Sequence, residues 1–234
     1  MTASFAADLR TELDRVYQAF RAGTRTQGRA VLARYGGIRP GLLIDVYHVF
    51  LAGPVTLPAL EALTRYWEPE AREQALADHV HMGVFTVDGN AIHLTDLGRD
   101  FALGFQAALG TGAAELWAAS AALLPALNDT LATLLTVPGG PAFEAARRPY
   151  LPPDATLATQ VTTRMGAFRY RRADLHAQAW AAAGHTAQSI RALEPGPERE
   201  SVEAETNRLD APSYSVLPEE SRRALFATLT ALPG

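Results

Sequence analysis

Apolar residues recur three and four positions apart along most of the chain, and they alternate with polar ones in only one short stretch. The first pattern predicts amphipathic helices and the second a strand pair. Phe5, Leu9, Leu13, Val16 and Phe20 set a helical face over residues 4 to about 35, weakened near Gly23 and Gly28. A break over 35 to 40 ends at Pro40, which is suited to open a helix over 41 to 51 that buries Leu42, Leu43, Val46 and Phe50. Gly53-Pro54 stops it. Thr56 is placed to cap a helix over 57 to 67 with Leu60 and Leu63 inward. Another helix opens at Pro69 and runs to about Met82, with Ala75, Leu76 and Val80 inward and Gly83 as its stop. "VFTV" and "AIHL" then flank Asp88-Gly89-Asn90, where Asp-Gly suits the positive φ of a tight hairpin turn over 84 to 94.

Thr95 is placed to cap the next helix, Gly98 permits a close backbone approach, and Phe101 and Phe105 begin a long helical stretch that Gly110-Thr111-Gly112 can bend. Its continuation over 115 to 135 carries Leu116, Leu123, Leu127, Leu131 and Leu134, a wide apolar face suited to an interdomain or dimer helix, with Pro125 kinking or splitting it. Five prolines and Gly139-Gly140 make 137 to 156 a coil crossing or linker, and the domain boundary is expected there. Helices return over 157 to 183, 198 to 209 and 218 to 232. The expected division is an N-terminal helical or dimerisation arm (1–39), a compact module (40–105), a long connecting helix (106–136) and a helical C-terminal domain (137–234).

The composition fits a mainly α protein with little strand. Without cysteine, disulfides, thiolate zinc sites and cysteine nucleophiles are excluded. No basic segment precedes an apolar run at the start, and no 18 apolar residues follow one another, so a cytoplasmic protein without a membrane partner is expected. All 21 basic residues are arginine, which a GC-rich genome explains as readily as function does. Their placement says more: residues 15 to 44 hold six arginines and no acid, whereas the helix over 68 to 83 sets Glu68, Glu70, Glu73 and Asp78 against Arg72 alone.

The helices at 41 to 51, 57 to 67 and 69 to 83, the hairpin at 84 to 94 and the capped "LTDLGRDF" together resemble the winged helix-turn-helix of MarR-like bacterial regulators, over about residues 40–105. The segments "RMGAFRYRRADLHAQAWAAAGHTAQSI" and "VEAETNRLDAPSYSVL" resemble a partly SalK-like, actinobacterial helix-turn-helix group that brings no known chemistry with it. The first resemblance implies a mainly α fold with a small β-hairpin wing, a homodimer, a transcriptional regulator on double-stranded DNA and a small anionic or aromatic effector. Such proteins usually carry a basic wing tip; here the tip is Asp88-Gly89-Asn90.

For DNA, the candidate donors are Arg25, Arg29 and Arg34 upstream, with Arg65, Arg72 and Gln74 on the two motif helices. The plainer alternative is an acidic helix that packs against protein: an interaction or dimerisation module beside a metabolite-binding or catalytic helical domain, without DNA. Tyr170, Arg172, His176 and Trp180 are the candidate effector residues; more plainly, Trp180 fills core while Arg169 and Arg172 pair with the acidic helix near 198 to 205. Asp174 and His176 have the chemistry for acid/base work, but no nucleophile elbow, phosphate loop, zinc-protease or dinucleotide motif occurs, so no catalytic residue or cofactor is assigned. Asp78, His79, His81 and His93 offer metal-ligand chemistry, yet the 79/81 spacing does not share a helical face and helix-end histidines explain them, so no metal is assigned either.

Overall fold

A computed structural model describes residues 2–35 and 41–233 of the chain. Of the break expected over 35 to 40, residues 36 to 40, including Pro40, lie outside the described residues. The fold is mainly helical with one three-stranded antiparallel sheet. Helix α1 (Ala3–Gly23) is capped by Thr2, whose hydroxyl accepts from the Phe5 amide, and buries Ala6, Leu9, Leu13, Val16 and Phe20. The chain breaks at Thr24, and α2 (Arg25–Arg34) buries Gly28 and Val31 against a later helix. Arg25 and Arg29 therefore sit on a packed helix.

Next come α3 (Gly41–Ala52), β1 (Val55–Thr56), α4 (Leu57–Leu63) and α5 (Pro69–His81), then β2 (Phe85–Asp88), β3 (Ala91–Leu94) and α6 (Asp96–Leu116). The strand order is β1-β3-β2: Val55 faces Ile92, and Phe85 faces Leu94. The two-residue β1 leaves no periodic signal in the sequence, since it ends on the Thr56 cap and has no room to alternate. Gly89 takes the positive φ of the hairpin (57°), while Asp88 pairs with Ala91 as a strand residue. On α5, Ala75 and Leu76 are half-buried against the core as expected, but the buried residue is His79, and Val80 points out at 40% exposure. His79 replaces it because its ring spans two elements, with Nδ1 on the Ala75 carbonyl at 2.7 Å and Nε2 accepting from the Leu43 amide of α3 at 3.3 Å.

Gly110 and Gly112 leave α6 unbroken. A Cβ at Gly110 would overlap Thr159, so the glycines serve close helix packing. The break comes at Trp117, followed by a 3-10 turn (Ala118–Leu123) and α7 (Leu124–Leu134), with Pro125 in its first turn where the missing amide costs nothing. The axis bends by 98°, so 106 to 136 is not one long helix. No single helix among the described residues is long and apolar enough to cross a membrane.

The remaining helices are α8 (Pro141–Ala146), α9 (Leu157–Ala182), α10 (Ala187–Ala192), α11 (Pro197–Asp210) and α12 (Glu219–Ala231). One hydrophobic core runs from Ala6 to Leu232 and takes in Leu42, Phe101, Leu131, Phe143 and Val161. The expected boundary at 137 does not divide it. The α1 face packs on α11, α12, α6 and α9, and Leu127, Leu131 and Leu134 of α7 are buried within the chain, so neither helix offers that face to a second copy. Arg15 spans sequence ends: its guanidinium donates to the carbonyls of Leu232 at 3.0 Å and Leu229 at 2.6 Å, satisfying the C-terminus of α12.

Asp174 of α9 joins three elements. Its carboxylate accepts from the Phe143 amide at 2.8 Å and the Ala142 amide at 3.3 Å at the start of α8, and forms an ion pair with Arg65 just after α4. A Cβ on Gly140 would lie 2.6 Å from its Cγ, so that turn requires glycine. Leaving a buried guanidinium unpaired costs about 3 to 5 kcal/mol. Asp174→Asn is expected to cost about 3 kcal/mol in urea unfolding, and the Asp174→Asn/Arg65→Met double variant less than the two single changes added together; strict additivity would remove the pair from this role.

Candidate functional site

A cleft of about 480 Å3 opens between α1, α3, the end of α4, α9 and α11. Two helical stripes build it. Arg10, Tyr17 and Arg21 fall seven and four apart on α1; Arg169, Arg172 and His176 fall three and four apart on α9, so each set shares a face. The third wall is α3, whose backbone departs from helical geometry at Val46 (φ −124°, ψ 16°). The Tyr170 hydroxyl reaches the neighbouring Asp45 carbonyl at 3.5 Å, and Asp45 presents its carboxylate to the cleft.

Arginines outnumber acids on these walls. Arg21 pairs with Asp45 at 3.3 Å and Arg172 with Glu203 of α11 at 2.9 Å. Arg10 is held by Asp14 at 2.6 Å, and burial, opposed by Asp14 and reinforced by Arg172 and Arg169, lowers its pKa. Arg169 has no carboxylate within ion-pair reach among the described residues. Its guanidinium lies 3.9 Å from the centre of the Tyr17 ring, and its buried Nε has no hydrogen-bond partner. Removal from water raises the Asp45 carboxyl, against Arg21 and then Arg169. Beneath it, burial drives His48 down to about 3, with Arg169 and Arg21 adding to the shift.

A hydrogen-bonded relay leads from the cleft into the small second core. His176 Nδ1 meets the Tyr66 hydroxyl at 2.7 Å, Trp180 Nε1 donates to that hydroxyl at 3.4 Å, and His176 Nε2 lies 3.5 Å from Glu203. Burial lowers the His176 pKa, against Glu203. Arg191 of α10 then binds both the Tyr66 carbonyl and the Glu68 carboxylate, at the turn that opens α5.

Of the expected effector residues, Tyr170, Arg172 and His176 line the cleft. Trp180 does not: it packs with Tyr66, Ala179, Ile190 and Val202, supporting the cleft from behind. Arg172 is paired with the acidic helix as expected, whereas Arg169 is not. Asp174 is committed to Arg65 and α8, so its acid/base partnership with His176 fails. Arg10, Tyr17, Asp45 and Tyr66 complete the cleft and share no sequence signal with its other half, since they come from segments far apart in the chain.

The DNA candidates fare unevenly. Arg65 is withdrawn as a phosphate donor, because Asp174 and the Ala62 carbonyl hold it at 16% exposure. Gln74 gives its amide to Asp78 at 2.7 Å. Arg72 is half-buried on α5 with no ion pair among the described residues, Arg34 lies 5.7 Å from the centre of the Tyr35 ring, and Arg25 and Arg29 are exposed on α2. His79 is occupied between α5 and α3, and no group of three metal-ligating side chains gathers among the described residues. Compared with known proteins, the chain matches no family model, no curated protein and no solved structure.

Burial and two guanidiniums keep His48 neutral, so its stabilising effect is full above its unfolded pKa of about 6.5 and is lost as pH falls toward 3. The expected outcome is a fall in stability below pH 6.5 approaching about 1.4 kcal/mol per pH unit from this one proton. His48→Gln should flatten it, read as urea midpoints against pH; an unchanged slope contradicts the assignment.

Proposed function

We propose that the protein is a DNA-binding transcriptional regulator of MarR-like winged-helix type whose affinity responds to a small anion in the cleft. In this reading α3, β1, α4, α5, β2 and β3 form the winged helix-turn-helix, α5 enters the major groove and the β2-β3 hairpin is the wing. The observation that carries it is the exposed outer face of α5 on that element order: His79 is buried and Ala75 and Leu76 are half-buried against the core, while Glu70, Glu73, Gln74, Ala77 and Val80 are exposed.

The acidity of α5 is less than its composition suggests. Glu68 is paired with Arg191, while Asp78 accepts from Gln74 and keeps its charge, which leaves Glu70, Glu73 and Asp78 beside Arg72. Phosphate contacts then fall to Arg72 and to Arg25, Arg29 and Arg34 on α2, pooled in a homodimer that uses surfaces other than the buried faces of α1 and α7. Ligand response is supported by the cleft's walls, since α3 and the residues after α4 belong to the same module as α5.

One observation favours a second reading, in which the module docks a protein and binds no DNA. The hairpin tip, Asp88-Gly89-Asn90, has no cation to meet a phosphate. A salt series of binding to a random duplex pool, read by fluorescence anisotropy, separates the two. Wild type should lose affinity steeply with salt, and Arg72→Ala and Arg25→Ala should each flatten the slope by about one per contact removed. Absence of duplex binding at low salt rejects regulation by DNA contact and leaves the docking module.

A further inference from the structure

A second cavity of about 580 Å3 lies between α1, α2, α3 and α6 and shares Gln18 and Arg21 with the cleft. Its floor is apolar, made by Leu32, Ile44, Phe105 and Leu109; its rim carries Arg21, Arg25 and Arg29, and no acid lines it among the described residues. Gly28 keeps the α2 wall low over Phe105, where even a Cβ would already be in contact at 3.5 Å. A cationic cleft thus opens at Arg21 into a groove with an apolar floor and an arginine rim.

The charges at that junction leave room for one anion. Arg21 and Arg169 both act on the single carboxylate of Asp45, and Arg169 has no acid partner of its own among the described residues. Its Nε is buried, unpartnered and held over Tyr17. At the far end of the cleft Arg10 and Arg172 already meet Asp14, Glu203 and Asp210, so the unmatched charge sits at the groove's mouth.

We propose that cleft and groove together hold one amphiphilic carboxylate, a fatty-acid-like molecule whose head lies against Arg169 and Arg21 and whose acyl chain covers Leu32, Ile44 and Phe105. Both cavity volumes are within the range of small-ligand sites, and the apolar stretch beginning beside the guanidiniums selects a chain over a compact polar anion. This deepens the ligand half of the function proposed above and does not depend on DNA.

The test is calorimetric titration of the full chain, without DNA, with straight-chain carboxylates from hexanoate to dodecanoate below their micelle concentrations, and with the matching alcohols. Each buried methylene should tighten binding about fourfold. Arg169→Gln should weaken the carboxylates by about tenfold and leave the alcohols unchanged; Arg21→Gln serves the same purpose should Arg169→Gln not fold. Leu32→Gln should reduce the gain per methylene and leave the head preference intact. A flat chain-length series, no binding, or equal weakening of acid and alcohol overturns the proposal. A full ladder together with absent duplex binding sinks only the regulator; duplex binding with a flat ladder sinks only the lipid-like ligand.

Discussion

The buried pairing of Asp174 with Arg65 is the constraint on which the site's geometry rests. Two charges inside a helical protein are stable only when each is matched and their remaining hydrogen-bonding capacity is used. Asp174 meets that condition by accepting the first amides of α8 while it holds the residue just after α4. Three segments distant in sequence are thereby fixed to one carboxylate. Tyr66 and Trp67 come directly after Arg65, so the anchor also delivers both aromatics to the cleft wall.

Charge in this protein is organised by location, and the formal net charge of −4 conceals that. Acids cluster on α5 and α11, while arginines from α1 and α9 converge on a cleft whose walls place three guanidiniums against carboxylates and leave Arg169 without one among the described residues. The field is felt by neighbours that do not touch the cleft: His48, under Tyr170, is driven further down by Arg169 and Arg21 after burial has done most of the work. An unmatched, partly desolvated cation is costly unless something else in its surroundings offsets it. Here the Tyr17 ring supplies part of that offset.

Local pattern made the helices legible, because caps and periodicity act within a few residues. Thr56, Thr95 and the Asp88-Gly89-Asn90 hairpin lie where such signals put them. Local signals mislead where a distant contact prevails. Gly110 and Gly112 suggest a bend, yet they are tight packing sites against Thr159 and Thr24, and the bend falls beyond them, after Trp117. Val80 has the right period to be inward, but His79 can bond to two helices and takes the buried position. The α9 half of the cleft is visible because Tyr170, Arg172 and His176 are close in sequence. Its α1 half is equally periodic at 10, 17 and 21, and only the packing of α1 against α9 and α11 gives that stripe a partner.

Cleft and α5 are joined through α3, where Leu43 meets His79, and through the segment after α4, which is short and tethered on both sides. Tyr66 meets His176 and Trp180 through its hydroxyl, and Arg191 through its carbonyl; Arg191 also grips Glu68, the residue that precedes Pro69 and α5. A ligand that drew His176 toward itself would change the partners of the Tyr66 hydroxyl while Arg65 stayed fixed by Asp174. The movable part is then the two or three residues between a rigid anchor and the start of α5. A small rotation there would re-aim α5, which is held to the body by His79, by the half-buried Ala75 and Leu76 and by the neighbouring strand, while its outer face is exposed.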